Sequence, residues 1–194
     1  MLILTPHDLA RCNARAVEEI AARRDFAIAI GAGRLRGHAL AAALQCDWLA
    51  LDADASLDID TPQAWGGAAW RIGHRALRLH LMSGNRLTAA EAFREGLADA
   101  VVPSGEDPVE WIARWIGGRS TAALDSAAAL ISRRGGDTLE RAEFARLFAT
   151  GEPQEGLSAF LARRQPQFGR EVTRLRGPEA SEPRDRGTSK PENL

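Results

Sequence analysis

Residues 83–103 carry local signals that determine most of their backbone conformation. Thr88 can cap a helix, because its hydroxyl can bond the amide of Glu91 while the Glu91 carboxylate bonds the Thr88 amide. Gly96 can end that helix in a left-handed turn, which glycine adopts without steric cost. The pattern predicts a turn, a short helix and then a strand over residues 97–102 that stops at a proline.

Helices and strands alternate in the first half of the chain. A threonine, a proline and an acidic residue begin a helical stripe that predicts one helix from Thr5 to about Arg24. The elements predicted next are a strand at 26–30, a helix at 38–46, a strand at 48–51 and a short strand at 57–59. This order is typical of parallel strands joined by crossovers, and it predicts a layered α/β core.

The second half is predicted to be almost wholly helical, and it forms a helical layer. The predicted helices cover residues 73–82, 89–95, a segment that begins at Asp107 and Pro108, 121–132, 139–148 and 153–164. Trp111 and Trp115 lie four residues apart on one of these helices, so they share a face. We interpret them as packing anchors rather than as a ligand cage.

The composition fits one folded domain followed by a tail. A chain of 194 residues with 45% hydrophobic residues can bury a core, since chains of this size hide roughly 70% of their extended surface. We expect that domain to cover residues 1–168. Residues 169–194 hold three prolines among charged and small polar residues, and they predict a disordered tail.

The charge balance argues against nucleic acid or a membrane surface as a partner. The chain has 25 basic and 26 acidic residues and a net charge of −1, so it has no basic footprint for a polyanion. No segment approaches the ~18 apolar residues of a membrane span. Cys12 and Cys46 are too few for a disulfide framework or a metal cluster and are expected to pack as reduced side chains. We expect a soluble, cytoplasmic protein.

Three segments share motifs with one protein family. Residues 83–103 contain Ala-Glu-Ala, Gly-Leu and Val-Val-Pro, residues 29–47 form a glycine-rich turn and a helix that ends in Cys-Asp, and residues 156–168 contain Gly-Leu and Ala-Phe. Together they resemble the crotonase (enoyl-CoA hydratase/isomerase) family. The resemblance implies an α/β, crotonase-like (ClpP/crotonase) fold with a truncated N-terminal sheet region and a helical C-terminal layer.

The resemblance also implies an oxyanion-stabilising turn at Gly37 and His38. In that family a backbone N–H at this turn polarises a thioester carbonyl, and the helix dipole steadies the enolate. Aligned on the Cys-Asp ending, the donor amide here belongs to His38. The alternative interpretation is an ordinary glycine entry into a buried helix. A first donor would come from around Pro6 and His7, and proline has no N–H.

The two glutamates that add water in the family's hydratases are absent from this sequence. Their positions align with Ala41 and with a site near Thr61. The nearest carboxylates, Asp58 and Asp60, alternate around Ile59 and therefore share one face of a strand end. They are candidates for a catalytic acid/base pair. The alternative is two exposed loop aspartates.

Three further side chains are candidates on the same resemblance. Residues 64–73 resemble a shortened form of the family's double-glycine loop, which roofs the acyl pocket. His74, in the first turn of the next helix, is either a neutral catalytic base or a solvent-facing cap. Arg163 and Arg164, on the terminal helix, either contact a CoA phosphate or form a solvated face.

Two functions follow from the sequence. The first is an acyl-CoA enzyme, nominally of the enoyl-CoA hydratase/isomerase class, which binds a CoA thioester and needs no metal or other cofactor. The second is a catalytically degenerate subunit that supports a partner acyl-CoA enzyme. Family precedent implies a homo-oligomer, a trimer or hexamer, or a hetero-assembly with a related enzyme. A reading frame that starts late, which would make the chain a fragment, is a third interpretation.

Overall fold

The computed structural model describes residues 1–133 and 137–168, and the predicted tail at 169–194 lies outside these residues. The strands are β1 (Leu2–Leu4), β2 (Ala27–Gly31), β3 (Arg34–Leu35), β4 (Trp48–Asp52), β5 (Ser56–Leu57), β6 (Leu87–Thr88) and β7 (Ala100–Val102). The helices are α1 (Pro6–Ala10), α2 (Ala14–Ala21), α3 (Gly37–Gln45), α4 (Pro62–Ser83), α5 (Ala89–Glu95), α6 (Pro108–Ile116), α7 (Thr121–Arg133), α8 (Asp137–Phe148) and α9 (Glu152–Leu161). Within the described ranges, no helix combines the length and apolar character that a bilayer crossing requires.

Two sheets organise the first hundred residues. The larger sheet has the strand order β1-β2-β4-β7, and all of its neighbouring strands are parallel. The smaller sheet has the order β3-β5-β6, with β3 parallel and β6 antiparallel to β5. The predicted parallel α/β core is confirmed, and the C-terminal half forms the expected helical layer.

The core lies on both faces of the larger sheet, because successive strand residues point to opposite faces. On one face, helices α1 to α5 cover a cluster that includes Leu4, Ala29 and Leu49. On the other face, α6 packs against Ile28 and Ile30. The central strands are therefore buried on both sides, as a parallel sheet requires.

The tryptophans of α6 pack against β4, as predicted for anchors. The ring of Trp111 stacks on Trp48 with 6.3 Å between centroids, and Trp115 lies 5.6 Å from Trp111. Trp115 nevertheless leaves 54% of its surface exposed. The two cysteines are free thiols. Burial raises the pKa of the Cys46 thiol to about 12, so it packs as a small apolar side chain.

The predicted single helix from Thr5 to Arg24 is wrong, because two helices occupy that segment. Thr5 caps α1 through a reciprocal pair of hydrogen bonds with Asp8. Asn13 has extended backbone angles, and its Oδ1 accepts a hydrogen bond of 2.9 Å from the Ala16 amide. An asparagine that caps a new helix stops the preceding one, since its side chain competes for backbone hydrogen bonds.

The expected double-glycine loop at residues 64–73 is also wrong, because this segment is the first half of α4. Gly67 is buried at a close crossing of α4 and α3, where an added Cβ would lie 2.8 Å from Leu44 Cβ. Gly66 is exposed and meets no neighbouring atom. Of the two glycines, only Gly67 is required by the packing of α4 on α3. The residue of α4 with a non-helical backbone is Gly73, with φ 76° and ψ 159°.

The signals in residues 83–103 are confirmed in most respects. The Thr88 amide donates to the Glu91 carboxylate at 2.9 Å, and the Glu91 amide donates to the Thr88 hydroxyl at 3.3 Å. Gly96 ends α5 with a φ of 84°. The strand predicted at 97–102 is shorter, because the first two amides after Gly96 donate back to the Ala92 carbonyl and close the helix.

Candidate functional site

The turn that enters α3 leads into a helix that its own N-cap residue does not cap. Gly37 begins the helix with a φ of 56°, a left-handed conformation that favours glycine. The preceding residue, Arg36, provides no capping hydrogen bond. Within residues 1–133 and 137–168, no acceptor bonds the His38 N–H. This amide therefore lies at the positive end of α3 and can donate to an anionic or polarised oxygen.

Two helices begin at the same edge of the larger sheet. β1 and β2 are parallel neighbours, with Leu4 opposite Ala29; α1 follows the first, and the short strand β3 and then the turn into α3 follow the second. The N-termini of α1 and α3 are therefore brought to the carboxyl edge, where α/β proteins bind ligands. In α1 the capping box uses the amides of Thr5 and Asp8, and Pro6 has no N–H. The amide of His7 is the remaining first-turn donor.

The structure places Asp60 against the α3 turn. Its Oδ1 accepts a hydrogen bond of 3.3 Å from the Gly37 N–H, while the side chain remains exposed. Thr61 follows as the N-cap of α4, and its hydroxyl is buried without a partner among the described residues. Ala41 is fully buried in the core. Neither position aligned with a family glutamate therefore supplies a carboxylate here.

Asp58 makes different contacts from Asp60. Its carboxylate accepts hydrogen bonds from Arg34 Nε at 2.5 Å and from Arg86 Nε at 3.0 Å. Burial alone would raise the pKa of Asp58, but the bonds and charges of the two arginines outweigh it and lower that pKa. Asp58 and Asp60 line one groove of about 590 Å³, so the structure brings the predicted pair to one place. It also makes Asp58 a fixed anion rather than a proton carrier near pH 7.

Removing the Asp58 charge should destabilise the protein in a pH-dependent way. A folded-state pKa below the unfolded value means that the ion pairs stabilise the fold above about pH 4, and that this stability is lost as the pH falls through the depressed pKa. We expect Asp58→Asn to melt below the wild type at pH 7, with the difference shrinking in acid. Thermal unfolding of both proteins from pH 7 into acid measures this difference in melting temperature.

The exposed neighbour Asp54 provides the matched control for that experiment. Asp54→Asn removes the same charge from the turn just before β5 and should melt within a degree or two of the wild type at each pH, as surface substitutions usually do. A difference between Asp58→Asn and the wild type that stays constant into acid would contradict the assignment of these ion pairs.

His74 lies on the exposed side of α4, directly after the break at Gly73. Another histidine, which the sequence reasoning missed, lines the groove. His80 Nε2 is 2.5 Å from Glu95 Oε2, and only 15% of the His80 side chain is exposed. The two residues come from α4 and α5, and no periodicity within either helix indicates that they meet.

The arginines on the terminal segment lie after the end of α9. Arg164 makes a bidentate ion pair with Glu155, with nitrogen–oxygen distances of 2.6 and 2.8 Å. These bonds, together with one from the Gln167 amide, lower the pKa of Glu155 to about 2. Arg163 is exposed and has a φ of 52°. Arg164 thus already has an anionic partner, whereas Arg163 points to the surface.

Comparison with known proteins identifies a consistent set of relatives, although no family model matches the chain. The probable enoyl-CoA hydratases echA8 of Mycobacterium bovis and Mycobacterium tuberculosis are 30% identical over 167 residues, covering 77% of this chain. The chain spans only 65% of the length of these relatives. The match therefore covers most of this chain but not a whole relative.

Solved structures agree with the sequence match. The structure of an enoyl-CoA hydratase/isomerase family member superposes with a TM-score of 0.72 and 26% identity, covering 82% of this chain and 66% of the other. The enoyl-CoA hydratase of Bacillus anthracis superposes with a TM-score of 0.66 and 26% identity, covering 78% of this chain and 65% of the other. The arrangement of strands and helices is thus that of these proteins.

Proposed function

This chain belongs to the crotonase superfamily, and on that premise we propose that it binds an acyl-CoA thioester at the turn of Gly37 and His38. The observation that carries the proposal is the N-terminus of α3, where the His38 N–H has no acceptor within the described residues and the N-cap residue Arg36 makes no capping hydrogen bond. A thioester carbonyl gains negative charge when it is enolised or attacked, and a fixed N–H at a helix N-terminus stabilises that charge.

The second N–H of the oxyanion site is assigned to His7. The parallel pairing of β1 with β2 brings the start of α1 to the sheet edge where α3 begins. The capping box of α1 uses the amides of Thr5 and Asp8 and does not involve the His7 amide. Two donors would then converge on one carbonyl oxygen, the arrangement that acyl-transfer and enolisation sites use.

Proton transfer requires a group other than the usual glutamates. His80 is the group favoured by the geometry, because the Glu95 carboxylate orients its ring and His80 itself lines the groove that contains Asp60. A histidine held by a carboxylate is a common general base. Asp60 is the alternative proton-transfer group, although its carboxylate already accepts a hydrogen bond from the Gly37 amide. We infer that hydration through a glutamate pair is not this chain's reaction.

A catalytically degenerate subunit is the second candidate function, and exposed apolar side chains on α8 and α9 favour it. The rings of Phe144 and Phe148 pack at a tilt on one face of α8 with centroids 4.6 Å apart, and they leave 61% and 48% of their residue surfaces exposed. On α9, Phe160 leaves 78% of its surface exposed. Exposed apolar surface of this kind marks an interaction site. We assign it to contact with another copy or a related acyl-CoA enzyme.

Calorimetric titration with butyryl-CoA and with free CoA tests the thioester site. We expect butyryl-CoA to bind more tightly than CoA, and Gly37→Trp to lose that advantage. Gly105→Trp is the matched control, because Gly105 also has a positive φ of 86° and open space around it but lies far from α3 in the chain. Circular dichroism checks that each variant folds.

The outcomes separate the two candidate functions. Tighter binding of butyryl-CoA that is lost only in Gly37→Trp supports the thioester site. Absence of binding by the folded wild type contradicts it and favours the supporting subunit. In that case light scattering with and without a full-length homologue tests whether the α8 and α9 surface forms an assembly.

A further inference from the structure

Two arginines in the groove share one aspartate and keep spare hydrogen-bond donors. Arg34 and Arg86 each contact Asp58 through Nε, at 2.5 and 3.0 Å. The Asp58 side chain is 12% exposed, whereas those of Arg34 and Arg86 are 50% and 52% exposed. Among the described residues, no acceptor bonds the terminal nitrogens of either guanidinium group.

The spare donors of the two arginines suit an additional anion. Two guanidinium cations face one fixed carboxylate, and a guanidinium can bind a second carboxylate through its terminal nitrogens. Asp60 is the other carboxylate of the groove, but its Oδ1 faces the Gly37 amide. His80 is already paired with Glu95. The apolar side chains of the groove are Ile59, Trp65 and Leu81.

We propose that Arg34 and Arg86 bind the terminal carboxylate of a dicarboxylic acyl group, so that the thioester ligand is a dicarboxylic acyl-CoA. This inference rests on the proposed function of the α3 turn. Asp60 both lines the groove and contacts the turn, so the groove extends from the place where the thioester carbonyl is held. The acyl group begins at that carbonyl, whereas the phosphates of CoA lie at the far end of the pantetheine arm.

The same contacts could instead serve only to hold the smaller sheet together. Arg34 belongs to β3, Asp58 follows β5 and Arg86 precedes β6, so the ion pairs join all three strands. The two roles predict different effects for Asp58→Asn. A purely structural role predicts lower stability of Asp58→Asn and no change in its ligand preference. A carboxylate site predicts stronger binding of an external carboxylate, because the internal competitor for the guanidinium groups is gone.

Titration with succinyl-CoA and butyryl-CoA tests the proposal, since both acyl groups have four carbons and only the first ends in a carboxylate. We expect the wild type to prefer succinyl-CoA by about tenfold or more, the scale of a hydrogen-bonded charge pair. Arg86→Gln and Arg34→Gln should each remove most of this preference while leaving the affinity for butyryl-CoA within about twofold. Asp58→Asn should increase the preference. Arg15→Gln, an 85% exposed arginine on α2, is the matched control and should change neither affinity.

Each alternative outcome is distinct. Equal affinities for the two thioesters, with binding still dependent on Gly37, overturn the carboxylate site and leave the proposed function intact. Weaker binding of succinyl-CoA, butyryl-CoA and free CoA alike in Arg86→Gln assigns the arginines to a CoA phosphate and overturns the proposal. Failure of the folded wild type to bind either thioester overturns both the proposal and the function on which it rests.

Discussion

Replacement of Arg71 by methionine is expected to lower the free energy of unfolding by about 3 kcal/mol. Only 3% of the Arg71 side chain is exposed, and Nη1 contacts the Asp99 carboxylate at 2.7 Å. Nη1 also donates to the Leu97 carbonyl at 3.2 Å, and Nη2 donates to the Cys46 carbonyl at 2.6 Å. Methionine fills a similar volume but removes the donor to the Leu97 and Cys46 carbonyls and the cation that pairs with Asp99, which keeps only the Leu49 amide. The end of α3 and the turn after α5 would then lose the side chain that joins them.

Urea denaturation measures this loss, and Arg75→Met provides the control. Arg75 lies four residues further along the same helix and is exposed, so its replacement should change stability by no more than about 0.5 kcal/mol. Equal effects of the two substitutions would show that the Arg71 contacts contribute nothing specific. A larger effect for Arg71→Met would identify this side chain as the main connection between the sheet and α4.

The adjacent glycines of α4 are expected to respond in opposite directions to alanine. Gly67→Ala should destabilise the protein by about 1–3 kcal/mol, because its Cβ would lie 2.8 Å from Leu44 Cβ and force α3 and α4 apart. Gly66→Ala should stabilise it by about 0.5–1 kcal/mol, since the site is open and alanine favours a helix. Thermal unfolding of both variants provides the measurement.

This pair of substitutions also tests the helical conformation of the segment. A loop in place of the helix would remove the helix-propensity gain at Gly66 and the close contact at Gly67. Similar small effects at both positions would therefore contradict the first half of α4. Opposite signs would support it, because a helix packed on α3 at Gly67 leaves Gly66 exposed, where alanine favours the helix.

The sequence predicted well those features whose hydrogen bonds close within a few residues. The capping box of Thr88 and Glu91, and the end of α5 at Gly96, depend on hydrogen-bonding groups three to six positions apart. Such contacts form in any chain that carries the motif. The break between α1 and α2 also has a local cause, since Asn13 caps the second helix. It was not predicted, because the apolar stripe continues across Asn13 and indicates a single helix.

The candidate site was predictable only in part, for the same physical reason. Gly37 was identified through the resemblance of residues 29–47 to the family's glycine-rich turn, and its positive φ gives the physical reason for a glycine there. The partners of Asp58 lie 24 and 28 residues away in the chain, and those of Arg71 lie 25 to 28 residues away. The fold alone brings such residues together. The His80 and Glu95 pair was missed because its members belong to different helices.

The order of strands in the larger sheet has a consequence for the chain during its synthesis. β1, β2 and β4 are neighbours in space and occur in the first 52 residues, whereas β7 reaches its place beside β4 only when Ala100 pairs with Ala50, fifty residues later. Closing so long a loop is entropically costly and slows this last pairing. Until it occurs, the backbone edge of β4 faces solvent and can pair with another nascent chain. A ribosome pausing before residue 100 would therefore prolong the interval in which this protein is most prone to aggregate.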